Sequence, residues 1–274
     1  MVEAIETLFV PLLIHNNSKG YDEQILKQYG EPAWNNPVVR YVDKAGTDVI
    51  PRQDRMWTTG QTALRMMMAL DAAGKPVPEY LRLTAQENYG RKAKATFAMG
   101  CYWEGEVKLG GISGVLATEA GWIGSKEVVN VTFNPAIVKY EKLLQIARSM
   151  DCASTVFTHN VQQMAVAKRY VGAEAVELPS LDQRRPVKYS EQKYHLRRTP
   201  LRYLPMTPIQ LAKVNSALVR RQNYGRFLSP QQIELAKKIQ LAAKEAPQKL
   251  EGLAAPDDAE NLVAYFVKLQ ERLE

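Results

Sequence analysis

The spacing of apolar and polar positions changes several times along the chain, and each change predicts an element. Leu8-Phe-Val-Pro-Leu-Leu-Ile14 is a continuous apolar run of the length of a buried strand. His15-Asn-Asn-Ser-Lys-Gly20 is a loop by its turn chemistry, and Asp22 caps a helix running to about Tyr29, with Ile25 and Leu26 facing inward. Residues 37–43 predict a second strand, and Lys44-Ala-Gly46 turns it into Asp48-Val-Ile50. Ala63, Met66, Met67 and Leu70 recur at helical spacing, which predicts a helix over 58–73 stopped by Gly74. In that setting Met66-Met-Met68 is core filler. Residues 74–92 read as a connector holding a short helical piece at 79–87.

A second series begins at 95. A strand over 95–99 meets Gly100, and a helix opens at Cys101 and breaks at Gly110-Gly111. Strands over 115–122 and 127–133 form a hairpin across Gly124-Ser125, and Asn134-Pro135 opens a helix over 136–150. The order β-α-β-β-α is that of a split-βαβ, ferredoxin-like sheet with helices on one face. Beyond Met150 a helix is predicted over 160–170, then extended, proline-punctuated chain over 171–205. Helices follow over 207–221 from Pro208, from Ser229-Pro230 to about Ala246, and over 261–273. The last is amphipathic, with Leu262, Val263, Phe266, Leu269 and Leu273 on one face. The expected class is α+β. The expected divisions are residues 1–90, 91–205 and a helical extension over 206–274.

Composition narrows the function classes. The 46% hydrophobic and 24% charged residues are ordinary for a globular chain. No apolar run approaches the roughly 20 residues needed to span a bilayer, so no membrane partner is expected. No signal-peptide pattern stands at the N-terminus. A removed signal would leave the same sequence, so the compartment stays open. The net charge is +7, and much of it lies in 184–226 with the pairs Arg184-Arg185, Arg197-Arg198 and Arg220-Arg221. These read as a solvated basic face, because no nucleic-acid module with interleaved stacking aromatics accompanies them. The two cysteines make neither a disulfide framework nor a zinc site. No metal or other cofactor is expected.

The strand–Gly–Cys–helix junction is where chemistry concentrates. A thiol at a helix N-terminus faces unpaired N–H groups and the positive end of the macrodipole, which stabilise the reactive thiolate. The bland alternative is a buried, inert cysteine. Glu104 and Glu106 fall early in the same helix, where acids are common for dipole reasons alone.

These residues resemble a known family. Gly100-Cys-Tyr-Trp103 is similar to the Gly-Cys-Phe-Trp signature of A-type peptide methionine sulfoxide reductases. Gly114-Val-Leu-Ala-Thr-Glu-Ala-Gly-Trp122, Lys126-Glu-Val-Val-Asn-Val-Thr-Phe-Asn-Pro135, Tyr140-Glu-Lys-Leu-Leu144 and Ser190-Glu-Gln-Lys-Tyr-His195 resemble later motifs of that family in order. The resemblance covers about residues 91–200. It implies an α+β roll and a thiol-dependent oxidoreductase acting on methionine sulfoxide or a related oxidised sulfur. It further implies Cys101 as nucleophile, Glu127 as proton donor, and Tyr102 and Trp103 as a pocket for the substrate methyl group. A carboxyl buried beside an apolar pocket keeps its proton to higher pH and serves as a general acid. The product is a sulfenic acid that a second thiol resolves. The implied partners are therefore thioredoxin or another dithiol reductant and an oxidised protein or small sulfoxide.

The chain departs from the family at several points. A segment carrying one oxygen-binding tyrosine is missing, and Gly124-Ser125-Lys126 runs straight into Glu127. In Phe157-Thr-His-Asn-Val-Gln-Gln-Met164, His159 and Gln162 match the family, while Gln163 stands where a second such tyrosine is expected. His159 and Gln163 are the expected substrate-binding positions, and Tyr189 or Tyr194 is a further phenol for that region. Cys152 is either the resolving thiol or a free cysteine in a turn. Other thiol chemistry (peroxide reduction, disulfide exchange) and a degenerate redox fold serving as a binding module stay open.

The first 90 residues resemble the second half of a thioredoxin fold, and Asn36-Pro37 resembles the place of its cis-proline. The first strand, first helix and Cys-x-x-Cys of that fold are absent. The stretch is then either a structural half-domain or the continuation of a longer protein.

Overall fold

A computed structural model describes residues 1–32, 38–257 and 260–274. The chain forms two compact units, Met1–Tyr89 and Gly90–Glu274.

The first unit contains α1 (Val2–Leu8), α2 (Tyr21–Tyr29), β1 (Val38–Val39), β2 (Gln53–Asp54), α3 (Thr59–Ala72) and α4 (Glu79–Asn88). The strand expected at Leu8–Ile14 is not formed. Ala4, Ile5 and Leu8 place apolar groups at helical spacing, so the run ends a helix instead. Phe9 leaves it in extended backbone, and Pro11 has no N–H to give a ladder. Val10, Leu12 and Leu13 are exposed. Gly20, not Asp22, is the N-cap of α2, while Asp22 accepts from the His15 N–H at 3.2 Å and closes the loop. The strand expected over 37–43 shrinks to β1, which pairs antiparallel with β2, and Val42 bridges Asp48 across the expected turn. Asn36 and Pro37 lie outside the described residues. The described elements run helix, helix, strand, strand, helix, helix, which is not the order that prompted the thioredoxin resemblance. A Thr58–Gln61 capping box opens α3. Met66 is buried with Ala63, Leu70 and Leu81, Met67 packs against that core, and Met68 is half exposed. Gly60 is required where α3 meets α4, because a Cβ there would strike the Asn88 carbonyl.

The second unit is mixed helix and sheet. Its elements are β3 (Ala93–Met99), α5 (Tyr102–Gly110), β4 (Val115–Ile123), β5 (Lys126–Phe133), α6 (Tyr140–Ser149), β6 (Thr155–Thr158), α7 (Val161–Val171), β7 (Ala175–Glu177), β8 (Arg184–Pro186), α8 (Tyr194–Arg197), α9 (Pro208–Val219), α10 (Pro230–Glu245) and α11 (Leu262–Leu273). One sheet has the order β7-β6-β3-β5-β4-β8, antiparallel except for the β6–β7 pair. Strand alternation divides the side chains between two faces. Ala95, Phe97, Met99, Val129, Val131 and Phe133 join Leu109, Leu143, Leu144 and Ala167 in the main core under α5, α6 and α7. Ala98, Ile123, Val128 and Phe157 form a smaller cluster on the other face. The helix expected over 136–150 begins only at Tyr140, because Asn134 turns the chain first, its carbonyl accepting from the N–H groups of Ile137 and Val138. Residues 171–205, expected as extended chain, include β7, β8 and the short α8.

The helices near the C-terminus stand close to their expected ranges, and α9 packs on α5 and β4. Lys213 of α9 is buried, and its Nζ donates to the carbonyls of Gly110 (2.9 Å) and Ile112 (2.6 Å). A cation thus satisfies the C-terminal carbonyls of the helix whose N-terminus carries Cys101.

Candidate active site

Strand β3 ends at Met99, Gly100 turns the chain, and Cys101 occupies the N-cap of α5 in extended backbone (φ −149°, ψ 116°). Its thiol is free and half-buried. The N–H of Tyr102, first in the helix, donates to Glu127 Oε2 at 2.7 Å. Glu127 reaches that point because β5 sets it opposite both Met99 and Trp122, and the short turn at Gly124-Ser125 keeps it at the end of the ladder. Gly124 holds φ 59°, a conformation that glycine adopts without strain. The Glu127 carboxylate and a Cys101 thiolate therefore draw on one helix N-terminus, where a single negative charge is best stabilised.

Aromatic rings wall this point. Tyr102 stands edge-on to Trp103 (5.8 Å between centroids) and to Trp122 (5.9 Å). Trp103 stacks on Tyr194 at 4.0 Å and 17°, and its indole N–H donates to Glu191 Oε2 at 3.1 Å. Burial raises the pKa of the Tyr102 hydroxyl, and the negative charges of Glu191 and Glu127 add to the effect. Trp122 and Glu191 were not among the expected site residues. Both lie inside motifs that carried the resemblance, which was the available signal.

The segment bearing Glu191 and Tyr194 is fixed by buried polar contacts. Gln192 acts as a substitute strand, accepting from the Ala120 N–H at 2.9 Å and donating to the Ala120 carbonyl at 2.8 Å. Lys193, in left-handed backbone (φ 49°), donates its N–H to Glu106 Oε2 at 2.6 Å. Its ammonium lies 2.9 Å from Glu106 Oε1 and donates to the Thr118 carbonyl at 2.6 Å. Thr118 Oγ1 completes the set at 3.1 Å from Glu106 Oε1. The dipole reading of Glu106 is thus corrected, because its side chain is fully buried in an ion pair. Glu104 is exposed and pairs with Lys108 at 3.3 Å.

Three expected site residues lie elsewhere. His159 Nε2 meets Thr96 Oγ1 at 2.9 Å, on the sheet face away from α5. Burial lowers its pKa, and Lys94 and Arg184 push the same way. Gln163 caps α7. Its Oε1 accepts from the His159 N–H at 2.9 Å, and its Nε2 donates to the Lys94 carbonyl at 2.7 Å. Lys94 is five residues before Met99, roughly 16 Å along the strand at about 3.3 Å per residue. Gln163 is therefore at the wrong end of β3 to meet a substrate at Cys101. Cys152 is 2% exposed in the main core, its Sγ donates to the Met150 carbonyl at 3.4 Å, and burial pushes its pKa up to about 11. A thiol so held is inert near neutral pH, which argues against a resolving role. Tyr189 is also committed, its hydroxyl donating to the Ala255 carbonyl under the Arg197 guanidinium. Among the described residues no three His, Cys, Asp or Glu side chains converge as a metal site, and no helix is long and apolar enough to cross a membrane.

Comparison with known proteins finds the same resemblance. The chain is 39% identical over 69 residues to the peptide methionine sulfoxide reductase MsrA of Methanococcus maripaludis, covering 19% of this chain and 44% of the relative. It is 39% identical over 70 residues to that of Geobacter metallireducens, covering 19% and 43%. Against the peptide methionine sulfoxide reductase of Drosophila melanogaster it is 26% identical over 138 residues, covering 38% and 56%. The chain spans less than half the length of the first two relatives. The 69 aligned positions take up a fifth of this chain rather than the quarter that 69 of 274 residues would make, so the relative carries residues without counterparts here. No family model matches the chain.

Proposed function

We propose that the unit Gly90–Glu274 is a thiol-dependent oxidoreductase that reduces methionine sulfoxide or a related oxidised sulfur. The observation that carries this reading is the 2.7 Å bond between Glu127 and the Tyr102 N–H, which sets a carboxyl group beside the nucleophile position at Cys101. The Cys101 thiolate attacks the sulfoxide sulfur while the Glu127 carboxyl gives its proton to the oxygen. The attack joins the two sulfurs in a hydroxysulfurane; the hydroxyl then bonds to Cys101 Sγ as the substrate's sulfur–oxygen bond and the new sulfur–sulfur bond break, so the thioether leaves and Cys101 becomes the sulfenic acid. Tyr102, Trp103 and Trp122 offer the apolar wall for the methyl group. Gln163 is spent on the His159 N–H and the Lys94 carbonyl, which leaves the Tyr102 and Tyr194 phenols as the hydroxyl donors for the sulfoxide oxygen.

With Cys152 in the core, an external dithiol of the thioredoxin type reduces the sulfenic acid, releasing water and its own disulfide. The order β6-β3-β5-β4, joined through α5 and α6, supports the ferredoxin-like split-βαβ reading of the sheet.

The test is turnover of methionine S-sulfoxide with dithiothreitol by the full chain and by Cys101→Ser. Methionine formation that disappears in the variant is expected. Formation that persists in Cys101→Ser, or its absence from the unmodified chain, overturns the proposal.

A further inference from the structure

A cavity of about 160 Å³ lies beside the β4–β5 hairpin and β8, and Trp122 is the one lining residue it shares with the site described above. Ile123, Val128 and Leu181 give it apolar walls, and Glu119, Asn130, Arg184 and Arg185 line it as polar residues, the Arg185 guanidinium being spent on the Gly124 carbonyl at 3.4 Å. Each polar group has a definite placement. Glu119 stands opposite Asn130 in the β4–β5 register. The Asn130 Oδ1 accepts from Thr96 Oγ1 at 2.8 Å, and Thr96 in turn accepts from His159 Nε2 at 2.9 Å. That relay leaves the amide NH₂ without a partner among the described residues. Arg184, on β8 opposite Ile123, has its Nε sealed from solvent with no acceptor among the described residues. A guanidinium nitrogen is costly to leave in that state, which points to a missing acceptor.

The charges are what select a ligand. Glu119 and Arg184 line one small cavity, yet they form no ion pair with each other, and neither is paired elsewhere among the described residues. A bare anion would satisfy Arg184 and oppose Glu119, and a bare cation would do the reverse. The volume equals that of about five waters at ~30 Å³ each, too small for a drug-sized ligand. We infer that the cavity binds a small aliphatic amino acid as its zwitterion. The carboxylate meets Arg184 and the Asn130 amide, the ammonium meets Glu119, and the side chain lies on Ile123, Val128 and Leu181. Guanidinium suits a carboxylate because its paired N–H groups match the two oxygens.

The experiment is calorimetric titration of the full chain with L-leucine, which has no sulfur and is therefore not a substrate for Cys101. 4-Methylpentanoate, lacking the ammonium, and 3-methylbutylamine, lacking the carboxylate, are titrated beside it. Saturable leucine binding is expected, weakened about tenfold in Arg184→Gln and in Glu119→Gln. Either one-charge analogue should bind more weakly than leucine by a similar factor. Glu119 is exposed, so its variant keeps the test valid should Arg184→Gln fail to fold. No leucine binding at millimolar concentration, or binding unchanged in Glu119→Gln, overturns the inference. Equal binding of leucine and 4-methylpentanoate overturns the zwitterion assignment.

Discussion

Replacing Lys193 with Met would leave a carboxylate buried without its cation. Met retains much of the aliphatic stem of Lys, and the left-handed backbone at φ 49° is no harder for one than for the other. What disappears is the ammonium 2.9 Å from Glu106 Oε1 and its bond to the Thr118 carbonyl. At 2.9 Å and an effective dielectric constant of about 20, the gross attraction is about 6 kcal/mol. Removing one partner of a buried pair costs about 3–5 kcal/mol in practice. Glu106 keeps two donors, the Lys193 N–H and Thr118 Oγ1, which places the cost near ~3 kcal/mol on that range. A domain is stable by only ~5–15 kcal/mol. With a urea slope of about 1–3 kcal/mol per molar, the unfolding midpoint should fall by roughly 1–3 M. Urea melts followed by circular dichroism and tryptophan emission measure it. Because Lys193 sits between Glu191 and Tyr194, the emission of Trp103 should also shift red in the folded variant as its stack loosens. Glu106→Gln in the Lys193→Met background removes the stranded charge and should recover about 1–2 kcal/mol. A midpoint within about 0.3 M of the parent, or no recovery in the double variant, would refute the view that this pair holds the segment down.

Glu127→Gln should lower kcat about 10²–10⁴-fold, the usual contribution of a positioned acid. Its melting temperature should hold, because the Gln oxygen still accepts from the Tyr102 N–H; steady-state kinetics beside a thermal melt check both. Cys152, with its pKa at about 11, should resist iodoacetamide at pH 8 while Cys101 alkylates, as peptide mapping would show. Folding raises that pKa above the ordinary value, so its contribution to stability is complete below about pH 8.5 and is lost as pH rises toward 11. Cys152→Ala should remove that slope from urea midpoints taken across the range. His159→Ala should leave sulfoxide turnover within about twofold. Gln163→Ala should cost about 1 kcal/mol in stability through its lost bonds to the His159 N–H and the Lys94 carbonyl, with kcat unchanged. A large kcat loss in either variant would show that the site extends across the sheet.

The parts of the fold that could be read from the chain are those set by neighbours in sequence. The junction from β3 through Gly100 to α5 rests on an apolar run, a glycine and an amphipathic stretch. The β4–β5 hairpin rests on alternation and a glycine turn. Strand β6 escaped because its four residues are all buried and show no alternation, while β7 and β8 have three residues each. Gln163 shows how local physics outranks a motif position. Asn160 and Gln163 have the spacing of a helix cap, and the structure uses them as one. Glu106 shows the converse. An acid early in a helix has a sufficient local reason to be there, and nothing nearby in sequence announces a lysine 87 residues later that buries it. The Trp103–Glu191 bond spans 88 residues and the Gln192–Ala120 pair spans 72. The candidate site therefore has two origins. Cys101 and Glu127 are placed by a turn and a hairpin that the sequence states directly, whereas the aromatic wall depends on one distant segment pinned by a buried charge pair. Loss of that pair should consequently loosen substrate binding, seen as a raised KM, before it touches the geometry of Cys101 and Glu127.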